Sequence, residues 1–431
     1  MSPAALTLIV LAGMAVLFVT EVIPLAVTAM SGAIVLGAFG VITPQQVFSG
    51  LSNATVVLFA GMFVIGTAMF QTGLAQKIGT AVVRASGTGE TNLMIAAMLI
   101  AAALSSVSSN TGATAALMPV IVGICAAANI SASRQLMPLA FGAGLGGTIT
   151  LIGTPPNIIG NAALKAAGFP VFGFFEFARI GLPITLVGIL YMVFIGKYLL
   201  PGRQNTVEAA AKADAVLREI GESGNTSQND RRKMFITGAT LLVVIGVMAL
   251  DIKRFPLEMV AVAGAIFLVL TRCVSEKQAY QGIDWVTIFL FAGMMPVAVA
   301  LDESGAGQLI ADTVISIVGN NPSPYILCTV LFLLSTVMTQ FMSNTASAAL
   351  LCPIGISIAK GIGVSPHAVV MSIVIAASCA FATPIGTPPN TLVLGPGSYR
   401  FTDYVRVGVP LVIIEMILSS ILIPWIWPFN G

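Results

Sequence analysis

Uncharged apolar runs of 15–20 residues follow one another from end to end of this chain, separated by short polar breaks. A helix needs about 20 apolar residues to cross the hydrocarbon of a bilayer. Runs at 5–22, 24–42, 54–73, 136–163, 180–200, 234–250, 256–272, 285–301, 366–395 and 408–428 are therefore predicted to be spans. Two further apolar pairs, 92–107 with 112–129 and 323–340 with 346–361, are each interrupted by a short polar tip and read as hairpins. The one clearly hydrophilic stretch, 201–233, reads as a linker, with a short surface helix expected around Val207–Ile220. The first run is not a cleavable signal, because no basic residue precedes it and another span follows at once.

The pattern repeats. Pro24-Leu25 before Gly32-Ala33-Ile34 returns as Pro256-Leu257 before Gly264-Ala265-Ile266, and Phe59-Ala60-Gly61-Met62 returns as Phe291-Ala292-Gly293-Met294. Ser109-Asn110-Thr111 with Pro119 is matched by Ser343-Asn344-Thr345 with Pro353. Gly153-Thr154-Pro155-Pro156-Asn157 is matched by Gly386-Thr387-Pro388-Pro389-Asn390. Ordered, near-constant offsets of this kind mark an internal duplication. Each copy holds five spans and one interrupted pair. If the pair enters and leaves on one side, five crossings turn the second copy upside down. The expected fold class is an all-α polytopic membrane protein: two inverted repeats of five transmembrane helices, each with a re-entrant hairpin and one broken, unwound helix. The first repeat covers 1–200, with hairpin 92–129 and broken helix 136–163. A cytoplasmic linker covers 201–233. The second repeat covers 234–431, with hairpin 323–361 and broken helix 366–395.

Composition sharpens this picture. Of 431 residues, 57% are hydrophobic and 8% charged, against about 25% charged in a soluble domain. That excludes a soluble enzyme, a nucleic-acid binder and a disordered chain. The net charge of +2 says little about partners. The five cysteines, Cys125, Cys273, Cys328, Cys352 and Cys379, are scattered and read as small core residues. A single histidine, His367, excludes a multi-histidine metal centre. With no nucleophile–base pair and no nucleotide motif, an enzyme is not expected. Placing the linker in the cytoplasm leaves only Lys165, Arg179, Lys253, Arg254 and Lys360 outside, and the other 14 of 19 basic residues inside. Both termini are then expected outside, in a multi-pass protein of the cell (inner) membrane.

Two kinds of break carry the chemistry. Non-helical backbone at membrane depth is tolerated only where protein or a water-filled cavity satisfies it. Ser, Asn and Thr are helix N-cap residues, so a helix starting at Gly112 or Ala346 would aim its positive end and free N–H groups into the membrane, ready for an anion. Hydroxyls can also serve as glue between helices, but two copies at matched positions argue for a site. In Gly-Thr-Pro-Pro-Asn the paired prolines must unwind the helix. Unwinding frees backbone carbonyls suited to Na⁺, and a following half-helix near Asn157 or Asn390 offers another positive end. A simple proline kink is the alternative. No Asp or Glu lies between Thr91 and Gly160 or between Ser323 and Gly395. A proton antiporter would be expected to hold a carboxylate at mid-membrane. Such a pocket suits an anion, with Na⁺ supplying positive charge, and two equivalent tips suit a small dicarboxylate.

These paired motifs resemble the divalent anion/sodium symporter family, the sodium–di- and tricarboxylate cotransporters of the ion-transporter superfamily, over nearly the whole chain. The resemblance implies that Ser109, Asn110, Thr111, Asn344, Thr345 and Pro388 bind the anion. It implies one Na⁺ site from Ser105, Ser109, Asn110 and the Gly153 carbonyl, and a second from Thr339, Ser343, Asn344 and the Gly386 carbonyl. It also implies a homodimer in the lipid bilayer, an elevator-type mechanism, and no cofactor beyond Na⁺ as coupling ion. Many family members carry one more span before the repeat. A dicarboxylate exchanger, a sulfate or citrate transporter on the same fold, and a cation antiporter of the wider superfamily are the competing readings. Among weaker features, 74–88 with Lys77 and Arg84 reads as an interfacial helix. Glu176/Arg179 and Asp403/Arg406 read as anchors before spans. Glu415 is an ionisable residue inside the last span and is open to either a functional or a packing role.

Overall fold

The computed structural model describes residues 2–85, 89–128, 130–202, 231–250, 254–318 and 323–429, and among them every regular element is a helix. The helix expected around Val207–Ile220 lies outside the described residues. The first half comprises α1 (Pro3–Thr20), α2 (Leu25–Ala38), α3 (Pro44–Val47), α4 (Ala54–Gln71) and α5 (Leu74–Ala85). A hairpin follows, α6 (Glu90–Ser105) and α7 (Asn110–Ala128), then a broken helix, α8 (Leu136–Gly147) and α9 (Pro155–Ala166). The last span, α10 (Ala178–Tyr191), continues through a π turn at Met192–Gly196 into α11 (Lys197–Leu199). The second half repeats the order: α12 (Arg231–Ala249), α13 (Leu257–Leu270), α14 (Glu276–Gly282), α15 (Trp285–Glu303) and α16 (Ala306–Val318). Its hairpin is α17 (Pro324–Thr339) and α18 (Asn344–Gly361), its broken helix α19 (Pro366–Ser378) and α20 (Pro388–Leu394), and its last span α21 (Phe401–Ile426).

Helices α1, α4, α12, α15 and α21, together with the α10–α11 run, have 18 to 26 residues, about 27–39 Å at 1.5 Å per residue. The runs 24–42 and 256–272 yield shorter helices than expected. Gly40 and Arg272 take left-handed φ of 72° and 55°. Val41 N–H then donates to Leu36 O and Cys273 N–H to Leu268 O, both at 3.0 Å, which closes each helix from beyond its end. Hydropathy also misses α3, α14 and α16, which are too short or too polar to register as apolar runs. The first two open on capping boxes, Thr43 with Gln46 and Ser275 with Gln278.

Contacts between the halves are reciprocal. Helix α4 lies on α13 through Gly61, where a Cβ would sit 2.8 Å from the Ala261 backbone. Helix α15 lies on α2 through Gly293, where a Cβ would sit 2.6 Å from the Ala29 backbone. Both members of the first pair match those of the second at the same offset. In the same manner α7 packs on α20 and α18 on α9. Such exchange is what a two-fold relation between halves produces. Small residues make the close approach possible, as between helices in lipid. At the centre every residue of α8, and every residue of α19 except His367, is buried. Apolar side chains such as Leu242, Leu270 and Ile421 lie exposed on the outside, as a lipid-facing surface requires.

Candidate functional site

The hairpin tips are built by serine caps. Ser343 Oγ accepts from Ala346 N–H at 3.1 Å, and Ser109 Oγ accepts from Gly112 N–H at 3.4 Å. The outgoing arms therefore begin at Asn110 and Asn344, two residues earlier than expected, because Ser rather than Thr holds the cap. Asn and Thr occupy the first helical positions, where backbone N–H groups have no partner inside the helix. Behind each tip, one turn back on the incoming arm, a fully buried hydroxyl meets the asparagine. Ser105 Oγ donates to Asn110 Oδ1, and Thr339 Oγ1 lies 2.7 Å from Asn344 Oδ1. Asn110, Thr111, Asn344 and Thr345 are half-buried, while Ser109 and Pro388 are exposed.

The unwound segments run from Thr148 to Thr154 and from Cys379 to Thr387. Thr154 and Thr387 are extended, with φ,ψ of −146°,144° and −150°,144°. The prolines that follow open the half-helices at their first two positions. The half-helices thus start at Pro155 and Pro388 rather than near Asn157 and Asn390, since proline is suited to a helix start and forces only the residue before it out of helix. Asn157 and Asn390 then lace the loops. Asn157 Nδ2 donates to Gly147 O at 3.1 Å and Thr150 O at 2.8 Å, and Asn390 Nδ2 donates to Ala380 O at 2.8 Å and Thr383 O at 2.9 Å. Thr150 and Thr383 tie each loop to the neighbouring tip through Ser106 O and, at 2.7 Å, Gln340 O.

Oxygens crowd around the second tip. Asn344 Oδ1 lies 2.7 Å from Thr339 Oγ1, 3.1 Å from Gly386 O and 3.2 Å from Ala377 O. The one hydroxyl hydrogen of Thr339 is shared between Asn344 Oδ1 and Ala377 O, the latter at 2.6 Å. Two arrangements relieve such a cluster of acceptors: turning the amide over, so that its NH₂ donates, or a cation among the oxygens. Of the residues expected at the second ion site, Thr339, Asn344 and Gly386 meet here, and Ser343 Oγ caps the helix beside them. Ala377 O joins them, and no sequence signal could have named it, because a backbone carbonyl carries none. At the first tip a Cβ on Gly147 would sit 2.6 Å from Asn110 Oδ1, and one on Gly153 would sit 2.5 Å from Gly147 O. Ser105, Asn110, Gly147 and Gly153 are thus packed together. Gly147 was not foreseen; its only trace in the sequence is a Gly-Gly pair ahead of the motif.

The basic side chains nearest the site in sequence are occupied elsewhere. Arg134 pairs with Glu90 at 3.1 Å, Lys360 pairs with Asp302 at 3.0 Å, and His367 meets Ser365 Oγ at 2.9 Å and Pro170 O at 3.0 Å. Glu176 takes the indole N–H of Trp427 at 2.7 Å and the Gly173 N–H at 2.9 Å, anchoring the loop ahead of α10. All five cysteines are buried and free.

Apolar spans, paired helical hairpins and unwound helices are the architecture of a helical membrane transporter, and the comparisons with known proteins place the chain among transporters, not enzymes. The chain belongs to the citrate transporter family, whose model matches residues 15–354 and again 247–429. It is similar to an uncharacterized transporter of Haemophilus influenzae, with 30% identity covering 93% of this chain and 87% of the relative. It is also similar to the uncharacterized transporter YfbS of Escherichia coli (28% identity; 96% and 97% covered). The sodium-dependent dicarboxylate transporter SdcS of Staphylococcus saprophyticus is 26% identical, with 95% and 84% covered. In fold it matches the Alcanivorax borkumensis YdaH transporter over the full length of both chains, with a TM-score of 0.67 at 16% identity.

Proposed function

We propose that the chain is a Na⁺-coupled symporter of small divalent anions, C4-dicarboxylates such as succinate foremost, working by elevator-type alternating access. The observation that carries this reading is the cluster of acceptors around Asn344 beside a helix N-terminus, in a stretch, 323–395, that carries no acid of its own. A Na⁺ held by Thr339, Asn344, Ala377 O and Gly386 O would relieve the crowding and fix the tip. The amides of Asn344 and Thr345 would then face the anion, and Ser105, Ser109, Asn110 and Gly153 would act in the same way for the first tip. Without the cation the Asn344 amide would turn over to donate to the Gly386 and Ala377 carbonyls, and the anion would meet a differently set tip, which couples the two cargoes. One carboxylate would meet Ser109, Asn110 and Thr111, and the other Asn344, Thr345 and the start of α20 at Pro388. The name of the staphylococcal relative supports both the cation and the class of anion. The description of the family favours citrate as the second reading.

The halves are taken as inverted, with the linker cytoplasmic, both termini outside, and a homodimer as the working unit. A cytoplasmic reporter fused after Gly431 should therefore be inactive; an active one would sink the orientation. The function itself is tested in proteoliposomes by uptake of labelled succinate, with and without a Na⁺ gradient and with and without internal succinate. Uptake that follows the Na⁺ gradient supports symport. Uptake that needs internal succinate instead establishes exchange. No succinate uptake under any gradient, with citrate or sulfate carried in its place, would overturn the choice of substrate.

A further inference from the structure

Glu415 stands at mid-length of α21, completely buried, and neither carboxylate oxygen has a hydrogen-bond partner among the described residues. Ser419, one turn along, is buried with its hydroxyl likewise unpartnered. The titratable neighbour of the carboxyl is Cys379, the first residue of the second unwound loop, whose thiol donates back to Ile375 O at 3.2 Å rather than to the carboxylate. Helices α10, α11, α17 and α19 pack against α21, and their titratable side chains are accounted for. On α10, Arg179 lies at the helix start and Tyr191 donates to Val407 O at 2.7 Å. On α11, Lys197 sits 5.0 Å over the Tyr198 ring. On α17, Tyr325 packs on Phe429, and Cys328 meets Ser372. On α19, His367 is held by Ser365 and Pro170. Of α21's own groups, Asp403 accepts from Arg400 N–H, Tyr404 donates to Asn390 O, and Arg406 lies more than two turns away. Among the described residues no cation faces Glu415.

The duplication does not require an acid here. Phe174-x-Glu-x-x-Arg-x-Gly181 ahead of and into the last span of the first half matches Phe401-x-Asp-x-x-Arg-x-Gly408 in the second, and in that alignment the position matching Glu415 is Gly188, where a Cβ would strike Leu145 at 2.6 Å. A buried carboxylate without a partner neutralises itself by taking up a proton, and ionisable residues at membrane depth mark ion or proton pathways. We propose that Glu415 is a proton-binding site, neutral in this conformation, whose ionisation requires the 379–387 loop to move away from α21 and admit water. The loop also carries Gly386 O, so proton loss would be felt at the acceptor cluster around Asn344. This does not depend on which anion is carried.

The test uses the full chain in liposomes without substrate. Infrared difference spectra from mildly acidic to mildly alkaline pH should show a protonated-carboxyl band that disappears on alkalinisation and is missing in Glu415→Gln. Hydrogen exchange of 379–387, taken as the ratio of wild type to Glu415→Gln at each pH to cancel intrinsic rates, should rise several-fold on alkalinisation. A band that survives in Glu415→Gln, or a ratio that stays flat, overturns the proposal. If Gln impairs folding, Glu415→Asp keeps the acid one methylene shorter and should shift the midpoint of the band; an unmoved midpoint overturns the proposal equally.

Discussion

Replacing Gly147 by alanine would perturb the proposed first ion site without removing any of its oxygens. The new Cβ would sit 2.6 Å from Asn110 Oδ1 and 3.0 Å from Nδ2. Ordinary contact needs about 3.5 Å, so the amide must retreat by nearly 1 Å. That breaks its bond from Ser105, whose hydroxyl is fully buried. The lost bond and the stranded hydroxyl together cost about 1–3 kcal/mol, or roughly 5- to 150-fold in affinity for the cation. Folding should survive. Gly147 ends α8 outside the left-handed region, and alanine is favoured over glycine in a helix by up to about 1 kcal/mol. The Na⁺ concentration that half-saturates uptake should rise accordingly, and the Na⁺-induced gain in thermal midpoint of the purified protein should shrink. Gly123→Ala in α7, with no neighbour within 4 Å, is the matched control and should behave as wild type. If Gly147→Ala keeps the wild-type Na⁺ dependence in both assays, Asn110 is not an ion ligand.

Asn110→Ala or Asn344→Ala should lower uptake severely while the protein remains monodisperse on size exclusion; wild-type transport in both would refute the site. Asn390→Leu strands the Ala380 and Thr383 carbonyls, and Asn157→Leu strands those of Gly147 and Thr150. At about 1–3 kcal/mol for each buried group left without a partner, either variant should unfold several degrees earlier and lose uptake. An unchanged melting curve would show that the loops hold themselves. Gly293→Val drives a side chain into the Ala29 backbone, which no rotamer can relieve. It should cost at least about 1–3 kcal/mol in detergent stability, against no loss for Gly13→Val, which faces open space.

The long spans were legible because length and the absence of charge are the signal, and the bilayer imposes both. Helix ends were less so. The α2 run stays apolar past its last turn and the α13 run goes polar only at Thr271-Arg272, and the left-handed Gly40 and Arg272 are what stop the helices. The breaks were legible since proline and cap residues act locally, yet their register was two residues out. Thr was read as part of the cap where Ser alone holds it, and Pro as part of the unwinding where it starts the next helix. What could not be read is the role of groups without a chemical signature, namely the Ala377 carbonyl and the missing side chain of Gly147. The lacing by Asn157 and Asn390 was hidden for another reason: a side chain that folds back ten residues depends on a loop shape that the pattern does not encode.

The duplication separates what the site needs from what each half has added. Both copies keep a hydroxyl behind the tip asparagine, a threonine from loop to tip, and an asparagine that gathers two loop carbonyls. The copies differ in how the loop is fastened. Gln340 holds the second loop at two more points, donating to Cys379 O at 2.9 Å and accepting from Ala382 N–H at 3.0 Å, and it also ties back to Thr336 O. Its counterpart, Ser106, spends its hydroxyl on Ala103 O within its own hairpin. The second loop is therefore held ready in its unwound shape, while the first relies on Thr150 and Asn157. Preorganised groups bind at lower cost than groups that must be ordered on contact. An acid at this position is likewise found only in the second half, since the counterpart of Glu415 in the first is Gly188. It sits against the better-fastened loop, so movement of that loop is the one with a charge to expose.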